Sequence, residues 1–209
     1  MPINVDFLIP FLTISFLLAV TPGPSNAFLM AQTFAKGRNA GMQSAAGFAV
    51  AGVIHTIFAV LGLSAVLKAS PQAYQIVLMM GASYLLYLGV MSIRDSLVVQ
   101  GEASAVVNNK KGKNVFIQAL LTEVLNPKVA LFFIAFIPQF VDNSLTTAPA
   151  IQMAIFGLLY PIFALPIDLS YVHFGDKIAS YFRGHPSAQQ WLDRITGLIF
   201  IALAVSMLL

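Results

Sequence analysis

Long apolar stretches are the feature of this chain that most restricts its fold. They cover about residues 7–34, 41–67, 74–93, 115–141, 148–174 and 190–209. A run of roughly 20 apolar residues is long enough to cross a hydrocarbon core about 30 Å thick as a helix. Charged residues are only 9% of the 209, which is far below the share in a soluble domain. The sequence therefore predicts an all-α polytopic membrane protein with six transmembrane helices in one membrane domain.

A single long polar connection, about residues 94–114, separates the first three stretches from the last three. Because an odd number of spans precedes it, the second group enters the membrane from the opposite side. The expected architecture is two inverted three-helix repeats, one over about residues 7–93 and the other over about residues 115–209.

Basic residues predict the orientation of these spans. Short cytoplasmic loops retain Lys and Arg during insertion, so the connections after spans one, three and five are predicted to be cytoplasmic and both termini periplasmic. The start of the chain has no Lys or Arg before the first stretch, unlike a cleaved signal peptide, and this stretch is expected to be retained. The nine basic residues of those connections are Lys36, Arg38, Arg94, Lys110, Lys111, Lys113, Lys177, Arg183 and Arg194.

Several functional classes have no support in the sequence. A formal net charge of +3, carried mostly by loops on one face, fits membrane orientation better than nucleic-acid binding. The chain has no cysteine, which excludes disulfides and thiol chemistry. Phosphate-binding loops, zinc-protease motifs and serine-hydrolase elbows are absent. We therefore expect neither an enzyme, nor a cofactor, nor a metal site, and transport would draw its energy from an ion gradient.

Two of the predicted spans are interrupted near their middle. Span one contains Thr21, Pro22, Gly23 and Pro24, and span four contains Asn126, Pro127 and Lys128. Proline removes a backbone donor, and glycine is expected here to supply a conformation closed to other residues. Broken backbone at membrane depth is tolerated where it lies in protein or lines a wet cavity. Paired breaks in inverted halves indicate the substrate site of a secondary transporter, although proline kinks also occur for packing alone.

The residues of the two breaks are the candidate substrate-binding groups. The helical halves that begin after the breaks would offer amide groups and a positive dipole end to a carboxylate. The candidates are Thr21, Pro22, Gly23, Pro24, Asn26, Asn126, Pro127 and Lys128.

Four ionisable residues are predicted to lie inside spans: His55, Glu123, Lys128 and Asp168. Charged groups at membrane depth are costly and are usually functional. Asp168, with His55 and Glu123, is the candidate for proton coupling. The alternatives are a fixed salt bridge between Asp168 and Lys128, and a neutral His55 that only bonds a carbonyl of a broken helix. Lys128 would pair with a substrate carboxylate, Glu123 or Asp168.

The motifs of this chain resemble those of the LysE/RhtB superfamily of amino-acid exporters. The resemblance rests on residues 21–24, 37–41 with Gly47, 126–128, Phe132-Phe133 and Pro138-Gln139-Phe140, and it covers almost the whole chain. Span three, residues 81–89, and the aspartate of span five resemble the family as well. The resemblance implies efflux of amino acids or related metabolites across the bacterial inner membrane in exchange for protons, with the homoserine, threonine and leucine (RhtB) branch closer than the lysine branch.

The sequence therefore predicts a secondary active exporter that works by alternating access between the broken helices. The expected partners are an amino acid, protons and membrane lipid, with a homodimer as the alternative to a monomer and no nucleic acid. The alternative function is transport of a metal ion or another small ion by the same fold.

Overall fold

A computed structural model describes residues 2–21, 23–69, 71–97, 114–206 and 208 of the chain. Every predicted span corresponds to helical structure, and span one is the pair α1, Leu8–Val20, and α2, Pro24–Lys36. The remainder of the predicted repeat one is α3, Arg38–Ala69, and α4, Pro71–Asp95. Most of the predicted polar connection, residues 98–113, lies outside the described residues.

Span four is also a broken helix. It consists of α5, Val115–Val124, and α6, Pro127–Leu131, and α6 continues as one π-helical segment, Phe132–Phe136, and one 3-10 segment, Ile137–Phe140. The two halves of span one meet at 52° and those of span four at 50°. Both predicted interruptions are therefore real bends, and they have nearly the same size.

The last two spans are the helices α7, Pro149–Gly184, and α8, Pro186–Ser206. With 36 residues, α7 is about 54 Å long at 1.5 Å per residue and exceeds the hydrocarbon thickness. The sequence prediction that Lys177, Arg183 and Arg194 lie in a loop is wrong, because α7 extends well past its apolar part and only His185 separates it from α8.

By length and apolar composition, two of the described helices, α3 and α7, qualify as membrane spans, and the two bent pairs raise the number to four. The helices α4 and α8 pack on each other where two glycines face. A Cβ built on Gly89 would lie 2.7 Å from the carbonyl oxygen of Gly197. Such close backbone approach at small residues is typical of helix pairs in membranes.

Two apolar clusters hold the helices together. The larger one is aromatic and joins α1, the segment after α6, and α7, with Phe11 and Phe156 at a ring separation of 5.0 Å. The smaller one joins α2, α3, α5 and α7 and contains Leu29, Phe48 and Val172. The two helix breaks lie between these clusters, since Leu18 and Val129 belong to the larger one and Ser25 is one helical turn from Leu29.

Candidate functional site

The first break leaves the last carbonyl groups of α1 without intrahelical donors, and side chains from elsewhere supply most of the missing bonds. Asn26 donates to the carbonyl of Ala19 at 2.9 Å, and the hydroxyl of Tyr171 donates to that of Val20 at 3.0 Å. Thr21 turns its own hydroxyl back to Leu17. Backbone polar groups at a break therefore stay paired, as burial at membrane depth requires.

Lys128, from the second half of the chain, completes this cap. Its Nζ atom donates to the carbonyl oxygens of Leu18 at 2.9 Å and Thr21 at 3.1 Å. A cation at the C-terminal end of a helix is favoured by the helix dipole. Within the described part of the chain, Lys128 therefore forms no ion pair with Glu123 or Asp168. Its hydrogen bonds to backbone carbonyls were not among the alternatives that the sequence suggested.

The second break is capped in a similar manner. The Asn126 side chain accepts a hydrogen bond from the amide of Lys128 at 3.0 Å and so begins α6. His55 of α3 contacts the carbonyl oxygen of Glu123 through Nε2 at 3.2 Å. Because a carbonyl only accepts, Nε2 carries the proton in this contact. His55 is 4% exposed, and its ring stacks on Phe133 at 5.2 Å. Of the two roles considered for His55, the structure shows the one in which it bonds a carbonyl of a broken helix.

A hydrogen-bond chain joins the two breaks directly. The side-chain nitrogen Nδ2 of Asn126 donates to the Ser25 hydroxyl at 2.8 Å, and that hydroxyl donates to a carboxyl oxygen of Glu123. All three side chains are buried. Buried polar groups require partners, and a connected network fixes their positions more strictly than apolar packing does. The network therefore fixes the start of α2 against the end of α5.

A cavity of about 490 Å³, counting its opening, lies beside this network. The polar groups of its wall are Gly23, Ser25, Asn26, Glu123, Asn126, Lys128 and Asp168, and the apolar groups include Leu18, Phe48, Val129, Tyr160, Pro161 and Ala164. Two carboxyl side chains, Glu123 and Asp168, therefore face one enclosed space together with the N-terminal end of α2. A concave space on which several polar groups converge is a candidate small-molecule site.

Asp168 differs from Glu123 in its surroundings. It lies on the same face of α7 as Pro161 and Ala164, which line the cavity with it, and no hydrogen bond to its carboxylate is found among the described residues. The salt bridge with Lys128, an alternative to proton coupling in the sequence analysis, is absent from the described part of the chain. The carboxylate of Asp168 is therefore available to a ligand, whereas Glu123 is oriented by Ser25.

Six of the eleven predicted site residues line the cavity: Gly23, Asn26, Glu123, Asn126, Lys128 and Asp168. Pro22 lies outside the described residues. Pro24 and Pro127 are the first residues of α2 and α6, positions where a missing amide costs nothing. Thr21 is buried and its hydroxyl lies 3.1 Å from that of Thr196, away from the cavity wall.

One expectation about Gly23 is wrong. Its backbone is extended, with φ −170° and ψ −177°, a conformation that any residue adopts. A Cβ built there would meet Lys128 at 3.8 Å, an ordinary contact. The interruption therefore comes from the prolines and from the side chains that cap the broken ends, not from glycine's freedom.

The site residues predicted from the sequence did not include the Ser25 side chain or Tyr171. Ser25 follows the proline motif directly, and a hydroxyl in the first turn of a half-helix was the available signal. Tyr171 lay in the same span as Asp168, three residues further along and hence on a neighbouring helix face. Neither partner, Glu123 for Ser25 or Val20 for Tyr171, follows from local spacing.

The chain is similar in sequence to several known proteins. A membrane protein of Bacillus subtilis, the uncharacterized YrhP, is 27% identical over 205 residues, which cover 95% of this chain and 96% of that protein. The leucine efflux protein of Salmonella typhimurium is 31% identical over 141 residues, 68% of this chain and 65% of that protein. The leucine efflux protein of Klebsiella pneumoniae is 26% identical over 197 residues, 90% of this chain and 87% of that protein.

No solved structure matches the chain significantly. The LysE type translocator family matches residues 16–209, a range that contains both helix breaks and every residue of the cavity wall. The multi-pass helical fold with its paired breaks and polar cavity is thus that of a membrane transporter, and the chain belongs to the LysE type translocator family.

Proposed function

We propose that this protein is a secondary active exporter of amino acids that exchanges them for protons. The observation that carries the proposal is the cavity between the two helix breaks, which holds two carboxyl side chains and the free end of a half-helix. Family membership and the leucine efflux relatives support an amino acid as the cargo.

The polar wall of the cavity matches the two charges of a free amino acid. Pro24 has no amide hydrogen, but the amides of Ser25 and Asn26 stand in the first turn of α2, where no intrahelical acceptor exists. They would bind the cargo carboxylate. Asp168 and Glu123 would bind its ammonium group, and the apolar wall around Phe48 would receive an aliphatic side chain. We assign Lys128 to the cap of α1, not to the cargo.

Proton coupling follows from the same two carboxyl groups. Two ionised carboxylates in one enclosed space repel each other unless a cation or proton joins them. After the cargo ammonium leaves, a proton from outside would take its place on Asp168 or Glu123, and its release inside would free the site again. His55 holds the backbone of Glu123 and would act on this carboxyl through that contact.

We propose that the exporter lies in the bacterial inner membrane with both termini outside. Asn4 donates to Asp142 at 2.8 Å, so the N-terminal segment and the connection after span four lie at the same end of the molecule, as six spans in two inverted repeats require. A metal ion as cargo has no comparable support, because the described residues contain no group of three or more metal-binding side chains.

The proposal can be tested with inside-out membrane vesicles in which an imposed proton gradient drives the accumulation of a labelled amino acid. Wild-type vesicles should accumulate labelled leucine, and Asp168→Asn and Glu123→Gln should abolish accumulation at equal protein levels. Asp6→Asn, an exposed aspartate far from the cavity wall, is the matched control and should behave as wild type. Undiminished proton-driven accumulation by Asp168→Asn would remove that residue from the mechanism. Failure of the wild type with every amino acid tried would refute the function itself.

A further inference from the structure

We infer that a second cavity, between α2, α3 and α7, is the cleft through which cargo is loaded from the cytoplasm. This inference rests on the proposed export function. This second cavity, here called the loading cleft, has about 660 Å³ of space, counting its opening. It is lined by Thr33, Phe34, Gly37, Arg38, Val172, His173, Gly175 and Asp176. Its charged side chains, Arg38 and Asp176, are exposed and of opposite sign.

The loading cleft continues the faces of α2 and α7 that line the first cavity. Ser25 and Thr33 are eight residues apart on α2, and Asp168 and Asp176 are eight apart on α7. Residues eight apart differ by about 80° in direction and still lie within one broad helix face, and eight residues span about 12 Å along a helix. The two cavities therefore lie on the same broad side of α2 and α7, about two helical turns apart along these helices.

A thin apolar barrier fills the space between them. Leu29 is fully buried and Val172 is 3% exposed, and both belong to the smaller apolar cluster with Phe48. Phe48 lines the first cavity and Val172 lines the loading cleft, so one layer of side chains separates the two spaces. The helices α3 and α7 are in close contact here, since a Cβ built on Gly41 would lie 2.9 Å from Val172.

The opposite end of the first cavity is closed much more heavily. The larger cluster on that side holds eighteen buried residues, against six in the smaller one, and the Asn4 contact with Asp142 lies beyond it. Displacing a few side chains costs less free energy than separating a large aromatic cluster. The route through the loading cleft is therefore the shorter and easier one in this conformation.

The chemistry and position of the loading cleft fit a zwitterionic cargo on its way out of the cell. An amino acid carries one positive and one negative group, which Asp176 and Arg38 complement. At this end of the molecule, α2 ends at Lys36 and α3 begins at Arg38. Basic residues of short connections between spans face the cytoplasm. Cargo for export is drawn from that compartment.

The absence of cysteine from the chain allows single-cysteine variants without further changes. A bulky, membrane-impermeant maleimide should block leucine export when attached to Asp176→Cys and leave export intact when attached to Lys177→Cys, the exposed neighbour outside the cleft. Both should react only from the cytoplasmic face. If Asp176→Cys itself loses export, His173→Cys takes its place in the test. Export that survives labelling at the cleft, in vesicles whose wild type exports leucine, overturns the inference and leaves the proposed function standing.

A second measurement tests the barrier. Ala49 lines the first cavity, and a cysteine there should react with a small charged thiol reagent from the cytoplasmic face. Leu29→Ala should speed this reaction by about tenfold, since loss of buried methyl groups lowers the free energy of local opening, with Leu29→Val as a milder variant. Met153→Ala, in the larger cluster, should leave the rate unchanged. Equal acceleration by Met153→Ala, or none by either Leu29 variant, overturns the inference.

Discussion

The ammonium nitrogen of Lys128 lies 3.1 Å from the carbonyl oxygen of Thr21. A side chain from the first turn after the second helix break therefore caps the end of α1, the helix before the first break. Each break thereby depends on residues from the other half of the chain. Lys128 serves the C-terminal end of α1, while Ser25, just after the first break, orients Glu123 just before the second. The cavity between the breaks is formed by this mutual support.

Removing the Lys128 ammonium should destabilise the protein. Lys128→Met leaves the carbonyls of Leu18 and Thr21 without their donor, and each buried unsatisfied group costs about 1–3 kcal/mol. Thermal unfolding in detergent should show a clear decrease in Tm. Lys177→Met, which changes an exposed lysine of α7, should leave the Tm unchanged, and an equal decrease in both variants would contradict the assigned cap.

Two asparagines of repeat two begin helices, and only one of them belongs to the site. Asn114 accepts from the amide of Phe116 at 2.9 Å, and Asn126 accepts from that of Lys128 at 3.0 Å. Replacing either by alanine should cost about 0.5–2 kcal/mol of stability through the lost cap. Only Asn126→Ala should also impair transport, because it releases Ser25. Transport assays on vesicles with matched protein levels decide this, and equal transport by both variants would refute the difference.

His55 donates to a carbonyl in the structure, and this role can be separated from proton transfer. Glutamine also provides an N–H donor but does not titrate, so His55→Gln should retain most transport and its pH profile if the hydrogen bond is what matters. His55→Phe keeps the ring against Phe133 but loses the donor, and should lower stability by about 1–3 kcal/mol. A loss of proton coupling in His55→Gln, with stability intact, would instead indicate that the imidazole carries a proton.

Asp142, outside the predicted spans, predicts a pH dependence of stability. Hydrogen bonds from the Ser144 hydroxyl and amide, and from Asn4, lower the pKa of its carboxyl. A group whose pKa is lower in the folded state stabilises the protein above its unfolded pKa, and this contribution is lost as pH falls through the folded pKa. The Tm difference between wild type and Asp142→Asn should therefore be largest near neutral pH and shrink below about pH 4. A difference that grows on acidification would contradict this.

The crossing of α4 and α8 requires glycine on both sides. Gly89→Ala would place a Cβ 2.7 Å from the Gly197 carbonyl oxygen, and overpacking of this kind costs about 1–3 kcal/mol. Gly62→Ala is the matched control, because nothing lies within 4 Å of a Cβ built there. Thermal unfolding should separate the two variants, and a Gly89→Ala protein as stable as wild type would show that the helices are further apart.

The sequence by itself determined the helical class, the limits of most helices and both interruptions, because apolar length and proline act locally. It also named most of the polar groups of the cavity: Gly23, Asn26, Glu123, Asn126, Lys128 and Asp168. Only the tertiary structure decided what these groups bind. Lys128 pairs with backbone carbonyls 107 and 110 residues away in sequence, and Ser25 reaches Glu123 across 98 residues. Such partners depend on how whole helices pack, and the side-chain types alone allow an ion pair equally well.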